Sequence, residues 1–160
     1  MPAADTSLVC ATVLLSALAI RACVGLFGYS GEHTPPMYGD FEAQRHWMEL
    51  TVNLPPSAWY VQGPHNDLQY WGLDYPPLSA HLSWLLGRLA HAFGHPELVA
   101  LHKSRGHESE PTRAFMRNTV LACDGLIFFT AAVAFSGAAT FAANTVSAPT
   151  RNAATRGATS

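Results

Sequence analysis

The chain has 160 residues, of which 49% are hydrophobic and only 12% charged, against about 25% charged in a typical soluble domain. Its net charge of −2, with no basic stripe and no zinc-finger spacing, gives no sign of a nucleic-acid binder. Cys10, Cys23 and Cys123 all lie inside apolar stretches, so they read as small hydrophobic residues and not as a disulfide framework.

Residues 1–7 form a short N-terminus, and residues 8–29, "LVCATVLLSALAIRACVGLFGY", make an apolar run broken once, by Arg21. A helix of about 20 apolar residues crosses a bilayer, so the run is expected to be a transmembrane helix. The rival reading is a signal peptide with a cleavage site near Ala17-Leu18-Ala19, which the acidic Asp5 and the absence of Lys or Arg before the run oppose. Residues 30–117 then form a long polar and aromatic loop. Within it "DFEAQRHWMELTVN", residues 40–53, suits a helix. Glu42 meets Arg45 and His46 there, and Arg45 meets Glu49, at i,i+3 and i,i+4 spacing. Pro55-Pro56 stops this helix. A second loop helix is expected over 77–93, where Leu78, Leu82, Leu85, Leu89 and Phe93 form a stripe at helical spacing. The stripe reads as packing surface or as a face lying in the membrane interface. Residues 118–141 are a second expected span with Asp124 inside it, and residues 142–160 are small, polar and aperiodic, which reads as disorder. Asp124 in a span calls for a partner, of which Arg21 is one conceivable choice. Arg151 and Arg156 after the second span favour a cytosolic tail, which places the loop on the far side of the membrane.

Several residues in the loop have chemistry to offer, and each has a plainer reading. Asp40 sits just past the first span. By position alone its carboxylate is first of all a helix N-cap. Glu42 and Glu49 read as ordinary helix-surface carboxylates, while Arg45 and His46 are candidates for binding an anion such as phosphate. Tyr70, Trp71 and Tyr75 offer flat faces for sugar rings and Asp67 and Asp74 acceptors for hydroxyls, against a membrane-interface aromatic belt on the other side. Asp74 also suits the start of the helix that follows. The histidines are scattered, and no paired ligand spacing marks a metal site.

The longer motifs carry a resemblance. "YGDFEAQRHWMELTVNLPPSAWY" followed by "NDLQYWGLDYPPLSAHLSWLLG" resembles the first lumenal loop of the dolichyl-phosphate-glucose-dependent alpha-1,3-glucosyltransferases of the endoplasmic reticulum. "SRGHES" at 104–109 and "FMRNTVLACDGLIFF" at 115–129 are similar to the same family, and the likeness covers about residues 20–135. Together "EAQRHW" and "NDLQYWGLDYPP" point to the branch that adds the first glucose.

The resemblance implies an α-helical integral membrane protein of the GT-C type, with two transmembrane helices flanking a lumenal catalytic loop that carries short interfacial helices. It implies a hexosyltransferase whose partners are the membrane, a lipid-linked sugar donor and a lipid-linked acceptor. The donor is dolichyl phosphate glucose, the acceptor the high-mannose oligosaccharide on dolichyl pyrophosphate, and no cofactor is expected. The family's catalytic aspartate lies in the "GD" of its "YGD" element, which falls on Asp40 and reverses the reading of that residue as a cap. Arg45, His46, Trp71, Asp74 and Tyr75 are the expected substrate-binding residues. Family members are chains of several hundred residues, and "SGAATFAANTVSAPTRNAATRGATS" departs from their pattern. A truncated product, a splice variant or a faulty gene prediction is therefore expected, inactive by itself. Two other readings stand beside the enzyme. One is a non-enzymatic membrane protein that keeps the loop to bind the full-length enzyme or its lipid substrate; the other is a secreted carbohydrate-binding domain.

Overall fold

Proline and glycine decide where the helices of this chain begin and end. A computed structural model describes residues 3–146, with side chains from 8 to 140. It contains α1 (Ala3–Val24), α2 (Gly39–Asn53), α3 (Pro77–Ala92), α4 (Glu110–Cys123) and α5 (Phe129–Val146). Short 3-10 turns at Pro56–Ala58 and Pro96–Val99 and a π-helical turn at Asp124–Phe128 complete the described backbone. Among the described residues there is no strand, only an isolated bridge between Gly63 and Asn66. The chain divides into two units, the first ending at Leu121 and the second starting at Ala122.

In the first unit, α1 stops at Val24 and does not run on to residue 29 as expected. Its last turn tightens, with Leu26 donating to the Cys23 carbonyl and Phe27 to that of Val24, as helix ends do when four carbonyls lack partners. The Arg117 guanidinium then takes the Phe27 carbonyl at 2.6 Å. The apolar side chains of α1, from Leu8 through Ile20 to Val24, are exposed.

The core of this unit is α2. From Glu42 to Thr51 every residue but Gln44 is buried. Its N-terminal half packs in a cluster of Ala43, Trp47, Trp59, Leu73 and Ala80, with Leu54 and Trp71 at the margin. Its C-terminal half packs in a second cluster of Met48, Ala90, Leu98 and Val99. The α3 helix lies along α2 through small residues, with Ala80, Ser83, Gly87 and Ala90 buried. Gly87 permits this close approach: a Cβ there would stand 3.0 Å from the Met48 carbonyl oxygen and 2.5 Å from Val52 Cγ2. Small residues therefore face the core, and the leucine stripe faces away from it, with Leu78 83% exposed and Leu82, Leu85 and Phe93 also exposed.

The second unit is helical throughout its described residues. The π turn begins at Asp124-Gly125 and leads into α5. Thr130, Ser136 and Thr140 return their hydroxyls to the carbonyls of Gly125, Ala132 and Ser136. This satisfies the hydroxyls within the helix itself and leaves Leu126, Ile127, Phe128, Val133 and Phe135 exposed. The helical stretch Glu110–Thr140, 31 residues long, is the one among the described residues long and apolar enough to cross a membrane, and none of its apolar window is buried. It starts eight residues before the expected 118, because Ser109 and Glu110-Pro111 open the helix inside what read as loop. The apolar part of α1, Leu8–Val24, is shorter. The expected tail at 142–160 is helical as far as Val146, and residues 147–160 lie outside the described chain.

Candidate active site

Tyr38-Gly39-Asp40 forms the entrance to α2, and the local backbone accounts for each of its three residues. Tyr38 has φ +57° and Gly39 φ +66°, a left-handed region that is strained for residues with a Cβ and open to glycine. A Cβ on Gly39 would lie 2.6 Å from the backbone carbon and oxygen of Ser30, and one on Gly31 would overlap the backbone at Tyr38 and Gly39. Two glycines thus let the chain cross itself backbone to backbone. The Tyr38 ring covers Gly106, where a Cβ would overlap it. The Asp40 backbone N–H donates to Ser30 Oγ at 3.5 Å. Tyr38 occupies the cap position of α2 and no side chain caps the helix, so Asp40 is not the N-cap that its position suggested. Its side chain is exposed and makes no hydrogen bond or ion pair among the described residues.

The crossing is laced to the segment before α4. Tyr29 Oη donates to Glu108 at 2.9 Å, and the His33 backbone N–H donates to the same carboxylate at 3.1 Å. Arg113 pairs with Glu32 at 2.9 Å and also with Glu110. Tyr29 and Phe41 stack at 4.3 Å. On the other side, Trp71 Nε1 donates to the Met37 carbonyl at 2.6 Å, and Trp47 Nε1 donates to the Trp71 carbonyl at 2.9 Å. The residues flanking Asp40 are therefore tied to α2, to the 63–75 loop and to residues 104–113.

Beneath the entrance lies a buried ionic cluster. Glu42 and Glu49, which read as surface carboxylates, are 1% and 0% exposed, and Arg45 between them is 0% exposed. Arg45 donates Nε to Glu42 at 2.6 Å, Nη2 to Glu42 at 2.6 Å and to Glu49 at 2.8 Å, and Nη1 to the Leu98 carbonyl at 2.9 Å and to Ser104 Oγ at 2.8 Å. A guanidinium has five N–H donors, so none is left for a ligand. His46 is 2% exposed, with Nδ1 3.3 Å from Glu49 and its ring edge-on to Tyr70 at 5.0 Å. Arg45 and His46, read as candidates for binding an anion, both turn their side chains into the protein instead. Burial by itself would raise the Glu49 carboxyl, but the His46 ring, the Arg45 charge and the His102 backbone N–H at 2.7 Å together hold it down to about 2. Arg45 is raised above its ordinary value, its burial outweighed by Glu42 and Glu49. Tyr70 donates its hydroxyl to Glu42 at 2.8 Å and carries the Arg105 guanidinium over its ring at 4.0 Å.

The expected sugar platform is split in role. The Trp71 indole N–H is committed to Met37, and Trp71 itself sits at φ +48°, a strained conformation for a bulky residue. Tyr75 is 52% exposed; its ring lies 5.0 Å from that of Trp47, and its carbonyl accepts from Tyr60 Oη at 2.9 Å. Asp74 is exposed and makes no hydrogen bond or ion pair among the described residues. Pro76, and not Asp74, occupies the cap position of α3. Asp40, Trp71 and Tyr75 are thus joined through the tryptophan clamp on α2, whereas Arg45 and His46 belong to the support beneath. Among the described residues no three His, Cys, Asp or Glu side chains stand together as metal ligands.

Among the described residues the fold is helical, with one helix long and apolar enough to cross a membrane and an exposed carboxylate, Asp40, held out from a clamped turn. Comparison with known proteins is more specific. Residues 14–156 match the model of the ALG6, ALG8 glycosyltransferase family, and the chain belongs to that family. The match reaches past residue 135, where the likeness was expected to end. The chain is 55% identical over 130 residues, 81% of its length, to the probable dolichyl pyrophosphate Man9GlcNAc2 alpha-1,3-glucosyltransferase of Arabidopsis thaliana. It is 54% identical over 114 residues to the protein of the same name in Drosophila melanogaster, and 53% over 123 residues to the dolichyl pyrophosphate Man9GlcNAc2 alpha-1,3-glucosyltransferase of Rattus norvegicus, covering 71% and 77% of this chain. It spans 24% of the length of each of these relatives.

Proposed function

We propose that this chain carries the catalytic loop of a glucosyltransferase of N-glycan precursor assembly. The reaction moves glucose from dolichyl phosphate glucose to the high-mannose oligosaccharide on dolichyl pyrophosphate and forms an alpha-1,3 bond. The observation that carries this reading is the contrast among three carboxylates of α2. Glu42 and Glu49 are buried and bonded to Arg45, while Asp40 is exposed and uncommitted on a backbone fixed by Gly39 and Ser30. The donor is a beta-linked glucosyl phosphate and the product bond is alpha, so one in-line displacement accounts for the inversion. The C1–phosphate bond breaks as the acceptor 3-hydroxyl oxygen bonds to C1. The hydroxyl proton passes to the Asp40 carboxylate, a general base, and dolichyl phosphate leaves.

In this reading the chain spans the endoplasmic-reticulum membrane twice, through α1 and the helix from Glu110, and places the intervening loop in the lumen. The exposed apolar side chains of both helices support it. Tyr75 and the half-exposed Trp71 ring border the sugar, and Asp74 accepts from a hydroxyl. The test is a full-length Arabidopsis relative whose N-terminal segment is replaced by residues 20–135 of this chain. Asp40→Asn in that chimera should lower transfer by about a hundredfold or more, since a positioned base contributes roughly 10²–10⁴. Near-normal transfer by the mutant would remove Asp40 from the chemistry.

A further inference from the structure

The proposed displacement leaves a phosphate with growing negative charge, and the two cationic candidates nearest in sequence, Arg45 and His46, are shut inside the protein. We propose that Arg105 takes that place: its guanidinium, laid over the Tyr70 ring, binds a phosphoryl oxygen of a lipid-linked sugar phosphate. The inference rests on the transfer reading for its ligand, and on geometry for its residue.

Three observations support it. Arg105 is exposed, its guanidinium carbon stands 4.0 Å from the Tyr70 ring centroid, and among the described residues it forms no hydrogen bond or ion pair. Stacking orders the planar cation and leaves the N–H edge that grips phosphate in a two-pronged fashion unengaged. The platform is itself rigid, because Tyr70 is buried, donates to Glu42 at 2.8 Å and meets His46 edge-on. Burial and Glu42 both push the phenol upward, so this hydroxyl remains a donor at neutral pH.

The second observation is position. Arg105 lies between Ser104, whose hydroxyl donates to Glu49 at 3.0 Å, and Gly106, which sits under the Tyr38 ring. Both neighbours are anchored, and Tyr38 is two residues from Asp40. One short network therefore positions a free carboxylate and a free guanidinium. The third is charge. Glu42 and Glu49 carry two negative charges against the one of Arg45, so the buried cluster has an excess that favours a cation at its surface without neutralising it by direct contact.

The test is binding by the full 160-residue chain in neutral-lipid nanodiscs, with dolichol, dolichyl phosphate, dolichyl phosphate glucose and the dolichyl pyrophosphate oligosaccharide as probes. The wild-type chain should bind the phosphorylated lipids more tightly than dolichol. Arg105→Gln should erase about tenfold or more of that preference, the size of a charge-assisted hydrogen bond. Arg105→Lys should retain part of it, and Tyr70→Phe, which keeps the ring, should retain most. A larger loss for the glucosyl phosphate identifies the donor as the source of the phosphate, and a larger loss for the pyrophosphate identifies the acceptor. No preference for phosphate in the wild type, or an unchanged preference in Arg105→Gln, overturns the proposal. Asp40→Asn in the chimera tests the transfer reading separately. A chimera that still transfers near normally with that mutation removes Asp40 from the chemistry and leaves the phosphate site standing.

Discussion

Replacing Arg45 by methionine tests whether this residue is a support or a ligand. Methionine fills much of the volume of the arginine stem but removes all five hydrogen bonds of the guanidinium. Glu42 and Glu49 would then be two carboxylates at 1% and 0% exposure with no cation between them. Breaking a buried pair from one side costs about 3–5 kcal/mol, because the remaining charge stays buried and unpaired. Here two such charges remain, and Ser104 and the Leu98 carbonyl lose a partner as well, so the upper end of that range is expected. At roughly 4–8 °C per kcal/mol for a domain near 100 residues, the melting point should fall by about 15 °C or more. Four tryptophans, Trp47, Trp59, Trp71 and Trp84, all lie in the first unit, so intrinsic fluorescence of the detergent-solubilised chain reports the transition. A melting point within about 3 °C of the wild type, accompanied by loss of phosphate-lipid binding, would refute the assignment of Arg45 to the support and restore it as an anion ligand.

Acid should act through the same cluster. Glu49 is held at about 2 in the folded chain, below the value near 4.5 that it has when unfolded, so its contribution of roughly 3 kcal/mol is complete above about pH 4.5 and drains as pH falls towards 2. A melting point that stays level over that window in the wild type, or falls as steeply in Glu49→Gln, would contradict this. Gly39→Ala forces a Cβ to within 2.6 Å of the Ser30 backbone at φ +66°, and the expected loss of about 2 kcal/mol or more should appear as a lower melting point and weakened transfer in the chimera. Trp71→Phe keeps an aromatic face but removes the N–H bonded to Met37; the expected cost is about 1 kcal/mol of stability, whereas unchanged stability with a raised sugar KM would make Trp71 a platform and not a clamp.

The helices were legible where period and punctuation agreed. Expected bounds of 40–53 and 77–93 became Gly39–Asn53 and Pro77–Ala92, because Pro55-Pro56 and Pro76-Pro77 act locally. The direction in which those helices face was not legible. A pattern of Glu42, Arg45 and Glu49 looks the same on a solvated helix and in a core, since i,i+4 pairing satisfies the charges in either place. Burial there is decided by Leu98 and Ser104, more than fifty residues away, which supply the remaining acceptors for Arg45. The leucine stripe of α3 left packing and interface readings open, and the structure turns it away from α2. Its small residues make the contact with α2, because Gly87 brings the backbones together. The candidate site was marked in the sequence only by motif likeness. "YGD" and "SRGHES" are more than sixty residues apart, and periodicity gives no hint that the ring of the one covers the glycine of the other.

The crowding of polar residues at the start of α2 has a physical explanation in how their charges are divided. Three carboxylates within ten residues of a helix repel one another unless cations intervene, and a carboxylate that is to accept a proton cannot also be locked to a guanidinium. Assigning Arg45 to Glu42 and Glu49, both in the interior, eases the conflict, since it pairs two of the three with one guanidinium and joins α2 to the 98–104 segment. That segment carries Gly106 beneath Tyr38 and Arg105 over Tyr70. The buried cluster thus fixes the backbone from which Asp40 projects without bonding Asp40 itself. Orientation of this kind contributes to a reaction only if the support does not relax, and effective molarities in well-oriented systems are worth roughly 7–11 kcal/mol. On the proposed role of Asp40 as base, Arg45→Met in the chimera should therefore lower transfer before the protein unfolds, by letting the Gly31–Gly39 crossing loosen.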